Sequence, residues 1–305
     1  MPSELEKKEL ISILMPAYQA QETILDSVQS VLDQTYTNWE LVISSDDGTD
    51  YEKLLHSQGI IDSRIVYVST GKVASGPANA RNVALDRARE NIIAVLDADD
   101  LFSPEKLARS YPFVQEHGFI MTGMHVVHKT PEGFFTTLTN TGQVGSRCIS
   151  TREYGFINYT AFSLCIFDKR RIPIRWRPNL PVVEDLMFGF EAYDHLSHIF
   201  FIDEPLHWYI QRDNSLSHSD QAYEQFKKTK TQLLNLLKKK PFLQSPHVIQ
   251  ALEDFLTLSL EVEILNSEKK EDVDFIKTFQ EVCHQRGISL PLRTFDPPQL
   301  LKKIM

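Results

Sequence analysis

Residues 92–100 read Ile-Ile-Ala-Val-Leu-Asp-Ala-Asp-Asp, an apolar run that closes on three carboxylates within four positions. A short, β-branched, uninterrupted apolar segment suits a strand buried on both faces. Carboxylates this close repel one another and resist ionisation unless cations or hydrogen bonds offset them. A solvated turn before a helix is the ordinary alternative, because Asp100 and Ser103 precede Pro104-Glu105, a good helix start. Side chains two apart on a strand share a side, so Asp97 and Asp99 can aim at one point while Asp100 faces away or caps the next helix. Two hard oxygen ligands with open positions suit Mg²⁺ or Mn²⁺ held jointly with phosphates, rather than a closed protein cage.

The surrounding sequence repeats the pattern of apolar strand, polar end and helix. Leu10 to Met15 is a strand closed by Pro16-Ala17-Tyr18, and Ile24, Val28, Val31 and Leu32 follow at helical spacing. Trp39 to Ser44 is a second strand ending in the turn-forming Ser45-Asp46-Asp47-Gly48, and Arg64 to Val68 is a third. Gly76-Pro77 opens a helix carrying Ala80, Val83, Ala84 and Ala88 before the strand Asn91 to Leu96, and Pro104 to Gln115 is helical again. Alternation of this kind implies α/β architecture, a parallel sheet between helices, with ligands beyond the carboxyl ends of its strands. Acidic groups from distant parts of the chain then converge on one edge.

From about Gly118 the pattern turns to strands without helices between them, Phe119 to Val127 and Phe134 to Leu138, an antiparallel extension joined by Thr130-Pro131-Glu132-Gly133. Tyr159 to Phe167 reads as a strand, Glu184 to Tyr193 as a helix, and Ile199 to Ile210 as strand broken at Glu204-Pro205. Beyond Asp220 the chain is rich in Lys, Leu and Glu at helical spacing, which divides it into a domain of residues 1–220 and a helical C-terminal region of residues 221–305.

A net charge of −9 argues against nucleic-acid binding, since phosphate backbones reward positive surface. The 3 cysteines, Cys148, Cys165 and Cys283, form no CxxC pair and support neither a zinc knuckle nor a disulfide framework. A charged amino-terminal stretch and the lack of any long apolar run give the expectation of a cytoplasmic protein, or one held peripherally at the inner face of a membrane.

The stretches ISILMPAYQ (11–19), SVLDQTYTNWELVISSDDGT (30–49), GPANARNVALDRARENIIAVLDADD (76–100) and VVEDLMF (182–188) resemble, in order and spacing, family 2 glycosyltransferases of the GT-A fold. The resemblance covers residues 10 to about 218. It implies an inverting, metal-dependent transferase that moves a sugar from a nucleoside-diphosphate donor to a hydroxyl acceptor such as a glycan or lipid-linked saccharide. Uridine is the commoner base in the family. By the same resemblance Asp47 reads the base, Ala17 and Tyr18 line the nucleotide pocket, and Arg81 lies near the diphosphate. Asp97 and Asp99 carry Mn²⁺ or Mg²⁺, Asp97 also lying near the ribose, and Asp185 is the general base, expected to be ionised at neutral pH. A guanidinium suits a phosphate by its planar fork and permanent charge.

Many family members end this region with Tyr-Arg-x-His-x-x-Ser-x-Ser, where this chain has Tyr209-Ile210-Gln211-Arg212-Asp213-Asn214-Ser215-Leu216-Ser217. Arg212 stands at the histidine position and is a candidate for direct contact with the diphosphate. His207 and His218 are neighbours that read as structural or surface residues. Trp208 and nearby aromatics are candidates for sugar stacking, with core packing as the competing use. The basic run Lys227-Lys228 to Lys238-Lys239-Lys240, with its leucines, is a candidate for contact with an anionic membrane, against the alternative of a solvated helix packed on the main domain. The rival functions are a non-catalytic nucleotide-sugar or glycan-binding protein with the same fold, and a nucleotidyltransferase. The latter lacks the Gly-rich, lysine-containing loop it would need after the first strand.

Overall fold

The computed structural model describes residues 9–130, 133–140, 145–158, 165–211, 220–239, 242–268, 282–286 and 299–301. Strand β1 (Ile11–Ala17), helix α1 (Ile24–Leu32), β2 (Trp39–Ser45), α2 (Tyr51–Ser57), β3 (Ile65–Ser69), α3 (Pro77–Arg87) and β4 (Ile92–Val95) form the alternating first half. A two-residue strand β5 (Leu101–Phe102), helix α4 (Lys106–His117), β6 (Phe119–Thr130) and β7 (Gly133–Asn140) follow. Next come β8 (Arg147–Ile149), α5 (Thr151–Asn158), β9 (Ile166–Asp168), α6 (Glu184–Ala192) and β10 (Ile199–Gln211). The last described elements are α7 (Asp220–Lys239), α8 (Pro246–Glu268) and β11 (Gln299–Leu301).

The sheet order is β11-β7-β6-β9-β4-β1-β2-β3, with β10 beside β6 and also pairing β5 and β8. Strands β4, β1, β2 and β3 are parallel, with Leu14 opposite both Val42 and Val95. Strand β9 then runs antiparallel to β4 and β6, and β6 antiparallel to β7. The parallel half therefore passes into an antiparallel extension, as its sequence pattern implies. Both faces of β1, β2 and β4 are dry: Ile11, Ile13, Met15, Leu41, Ile43, Ile92 and Ala94 pack on one side, while Leu14, Val42, Ile93 and Val95 pack on the other. Alternate side chains pointing into two cores make the strands read as continuous apolar runs.

Local chemistry fixes the helix ends. Asp50 accepts the Lys53 N–H at 2.9 Å ahead of α2. Gly76, at φ 96°, turns the chain into Pro77 at the start of α3. Gly118, at φ 82°, closes α4, and its N–H donates to Val114 O at 2.8 Å.

Three local differences separate structure from sequence. Pro16 lies inside β1 rather than ending it. Strand β10 runs through Glu204-Pro205 by register shifts between Ile202 and His207 instead of breaking. Helix α5 occupies residues just before the stretch expected as strand from Tyr159; residues 159–164 lie outside the described residues, and β9 begins at Ile166. In α7, Leu233 and Leu237 are buried and Lys230 pairs with Glu263 of α8, so those leucines face the protein; Leu236 stays exposed. Helix α8 contributes Leu252, Phe255 and Leu256 to the core that holds Phe190 and Tyr193.

Candidate active site

The site lies beyond the carboxyl ends of β1, β2 and β4, closed by α3 and the start of α6. Strand β4 continues to the Leu96 N–H, which donates to Leu14 O of β1 at 3.0 Å, and the backbone then turns at Asp97–Asp100. Within that turn Asp97 and Asp99 are half-buried while Ala98 and Asp100 are buried, so the first two side chains keep the open side. Asp100 faces the other way. One of its oxygens meets His207 Nε2 at 3.0 Å and the other accepts the Ile210 N–H at 3.0 Å, tying the turn to β10 rather than capping α4. Burial, helped by the nearby Lys106 ammonium, keeps the His207 imidazole neutral, so Nε2–H donates to Asp100. His207 is thus a core residue.

The two carboxylates after β2 divide their work. Asp46 is buried and takes hydrogen bonds from Thr70 Oγ1, Ser75 Oγ and the Gly76 N–H, fastening the loop that leads into α3. Asp47 is half-buried and accepts from Gln19 N at 2.7 Å, Thr49 N at 2.9 Å and Tyr51 Oη at 2.9 Å. Burial alone would raise the Asp47 carboxyl, but these donors outweigh it and hold the group below the usual carboxylate range. Ala17 is fully buried beside this turn and Tyr18 is 44% exposed above it. A cleft of about 270 Å³ opens on the far side of the turn, lined by residues including Ser45, Thr49, Tyr51, Tyr67 and Ser69. It does not contain the Asp97–Asp99 carboxylates.

Arg81, on the buried face of α3, links the halves of the site. Its Nη2 donates to Asp97 at 2.9 and 3.2 Å, and its Nη1 donates to Glu184 at 2.9 Å and Asp185 at 2.6 Å. The guanidinium is 3% exposed, and its Nε has no hydrogen-bond partner among the described residues. Burial works against the charge, but Asp185, Asp97 and Glu184 together raise the Arg81 pKa well above its ordinary value. The arginine expected beside a diphosphate therefore has its terminal nitrogens on three carboxylates here.

Burial pushes the Asp185 carboxyl up to about 8, against the pull of Arg81 and with repulsion from Glu184 and Asp97. This shift opposes the ionisation that a general base needs, while the Arg81 contact at 2.6 Å favours it. The turn into α6 is itself unusual, because Val183 adopts φ 60°, a left-handed conformation that a β-branched residue rarely takes. The other non-glycine residues at positive φ among the described residues, Gln19 and Ala74, also border the site, held by Asp47 and by the Asp46 carbonyl. Strained backbone of this kind concentrates at functional sites.

Beneath α6, the ring of Tyr154 fills the space that Gly189 leaves open, with its hydroxyl 3.4 Å from the carbonyls of Asp185 and Leu186. Trp176 stacks on Phe188 at 4.1 Å, and its carbonyl accepts from Asn82 of α3 at 2.8 Å. Both aromatics are core, as is Trp208, whose Nε1 donates to Ser103 Oγ at 3.1 Å. Glu184, Asp46 and Tyr154 were not separable as site residues by sequence alone. The ED pair signalled Glu184, but nothing local signals an aromatic that supports a helix from below. Arg212 and His218 lie outside the described residues.

Among solved structures the fold matches S. aureus TarS 1-349 in complex with UDP, with a TM-score of 0.62 and 18% identity over 91% of this chain and 82% of that one. It also matches S. aureus TarS 1-349 in complex with UDP-GlcNAc, with a TM-score of 0.59 and 17% identity over 97% of this chain and 98% of that one. The architecture is thus the α/β GT-A fold. Residues 12–172 match the family described as Glycosyl transferase family 2, and the chain belongs to that family.

Curated relatives include the UDP-Glc:alpha-D-GlcNAc-diphosphoundecaprenol beta-1,3-glucosyltransferase WfgD of Escherichia coli, 46% identical over 98 residues, which are 32% of this chain and 38% of that protein. The putative teichuronic acid biosynthesis glycosyltransferase TuaG of Bacillus subtilis (strain 168) is 40% identical over 121 residues, 38% of this chain and 47% of that protein. The chain spans about half the length, or less, of these relatives.

Proposed function

We propose that this protein is an inverting glycosyltransferase that moves a sugar from a nucleoside diphosphate, in the first instance UDP, to a hydroxyl of a lipid-linked or polymeric glycan. The observation that carries the reading is the joining of Asp97 to Glu184 and Asp185 through Arg81. It brings carboxylates from two separate strand and helix ends to one guanidinium. Relatives named for action on a diphosphoundecaprenol-linked sugar support the acceptor class, and a fold neighbour described with UDP supports the donor.

In this reading Asp47, with Ala17 and Tyr18, receives the base. Asp185 takes the proton of the acceptor hydroxyl as that oxygen attacks the anomeric carbon opposite the departing diphosphate. The transferred proton ends on the Asp185 carboxylate. Arg81 holds that carboxylate in place and, through Asp97, fixes its distance from the donor side. Arg212 is the additional candidate for the diphosphate.

Asp97 and Asp99 fit a divalent cation such as Mn²⁺ or Mg²⁺, since both are hard oxygen donors on the open side of their turn. Among the described residues no third ligating side chain completes a cage around them, which leaves positions for phosphate oxygens. When bound, such a cation neutralises charge on the diphosphate leaving group. No helix among the described residues is long and apolar enough to cross a membrane. The exposed lysines of α7 remain the candidate for peripheral contact with an anionic surface holding the acceptor.

The test is donor binding by thermal shift across nucleoside diphosphates and their sugars, with and without Mn²⁺, followed by transfer assays. Asp185→Asn is expected to bind donor and lose transfer. Asp97→Ala and Asp99→Ala are expected to lose metal-dependent donor binding. Parent-level transfer by all three variants overturns the assignment.

A further inference from the structure

A cluster of metal-ligating side chains lies away from the acidic site, at the opposite end of α4. His117 is the last residue of α4, Cys148 is the middle residue of β8, and His198 immediately precedes β10. One ligand atom from each lies within 4.8 Å of the others. His117 Nδ1 and His198 Nε2 face one another at 3.1 Å. In the β8–β10 ladder Cys148 stands opposite Phe200, two residues beyond His198, so its thiol comes from the adjoining strand.

The outer nitrogens of both rings also have partners. His198 Nδ1 lies 3.0 Å from Ser197 Oγ, and His117 Nε2 lies 3.8 Å from a Glu116 carboxylate oxygen. The 3.1 Å separation of the two rings is a hydrogen bond, so one inner nitrogen carries a proton that passes to the outer nitrogen of its own ring when an ion binds; Ser197 Oγ is placed to engage His198 Nδ1 as the second partner of a metal-bound histidine does. The His117 ring is further held flat against Phe200, with centroids 4.2 Å apart.

We propose that His117, Cys148 and His198 form a second metal site, distinct from the aspartates, for a borderline-soft divalent transition ion such as Zn²⁺. Mixed thiolate and imidazole donors select that class over Mg²⁺ or Mn²⁺. The imidazole nitrogens are already about as far apart as two nitrogens on one tetrahedral ion, given zinc–nitrogen bonds of about 2.0–2.1 Å. The thiol is exposed, and its sulfur already lies within 4.8 Å of one nitrogen of each ring. Binding forms one metal–sulfur and two metal–nitrogen bonds, releases the thiol proton to solvent, and leaves a fourth position for water. The ion clips the end of α4 to β8 and β10. Because β8 runs directly into α5, which carries Tyr154 beneath Asp185, the clip also fixes the support under α6.

Co²⁺ titration of the full chain provides the test, because a thiolate ligand gives a sulfur-to-cobalt charge-transfer band that carboxylates cannot give. The expected result is a band that saturates at one ion per chain, is displaced by Zn²⁺, and is lost in Cys148→Ser. His198→Ala is expected to weaken Zn²⁺ binding by at least about 10-fold. Asp99→Ala is expected to leave the band intact, which keeps this site separable from the proposed donor-binding cation. A band that is absent from the parent protein, or that survives in Cys148→Ser, overturns the proposal. Zn²⁺ affinity unchanged in His198→Ala also does so.

Discussion

Replacing Arg81 by Ala removes the cation that, among the described residues, hydrogen bonds to Asp97, Glu184 and Asp185. Loss of one partner from a buried ion pair costs about 3–5 kcal/mol, because the remaining charge stays uncompensated. Glu184 is 9% exposed, whereas Asp185 and Asp97 keep 24% and 31% exposure and are partly screened by water. The lower figure therefore applies, about 3 kcal/mol at neutral pH. In the variant the abandoned carboxylates repel one another, and their folded-state pKa values rise above the unfolded ones. The folded form then binds more protons than the unfolded form, so acidification recovers stability. Urea unfolding at pH 7 and pH 5.5 should show a deficit that shrinks at the lower pH. Arg81→Lys keeps the charge without the planar fork and should fall between parent and Ala. A variant as stable as the parent at pH 7, or a deficit that grows on acidification, refutes the argument.

Lys106 is fully buried, with its Nζ on Thr122 Oγ1 at 2.6 Å, and burial lowers its pKa to about 7. The unfolded state holds more protons than the folded one between about pH 7 and 10.5, so parent stability rises with pH across that window. Lys106→Met should accordingly stabilise the protein by a few kcal/mol at pH 7, an effect that fades toward pH 10 in denaturant titrations. A Cβ on Gly189 would sit 1.8 Å from the Tyr154 hydroxyl oxygen. Gly189→Ala should therefore cost about 1–3 kcal/mol by thermal or urea unfolding and lower the transfer rate by tilting α6. The Asp185 carboxyl, raised to about 8, must lose its proton to act as a base, so kcat/KM should climb with pH through an acid limb near that value. A flat profile between pH 6 and 9 argues against Asp185 as the base.

The alternation of apolar runs and turn residues determined the parallel half of the fold, because each strand is buried on both sides and each carboxyl end is polar. The period-two geometry of Asp97 and Asp99 likewise separated them from Asp100, since a turn following a buried strand leaves one side wet and one dry. Sequence order also brought Asp47 and Asp185 to the same edge, through family spacing rather than through any local signal.

The tertiary structure alone decided what those charges meet. Arg81 and Asp185 lie 104 positions apart and Asp100 and His207 lie 107 apart, distances over which no periodicity speaks. Whether an arginine meets phosphate, solvent or three carboxylates depends on how α3 and α6 pack, and that follows from the Trp176–Phe188 stack and the Gly189–Tyr154 fit. The imidazoles and thiol of His117, Cys148 and His198 carry no spacing motif at all. They come together because a helix end, a three-residue strand and the start of β10 share one corner of the sheet.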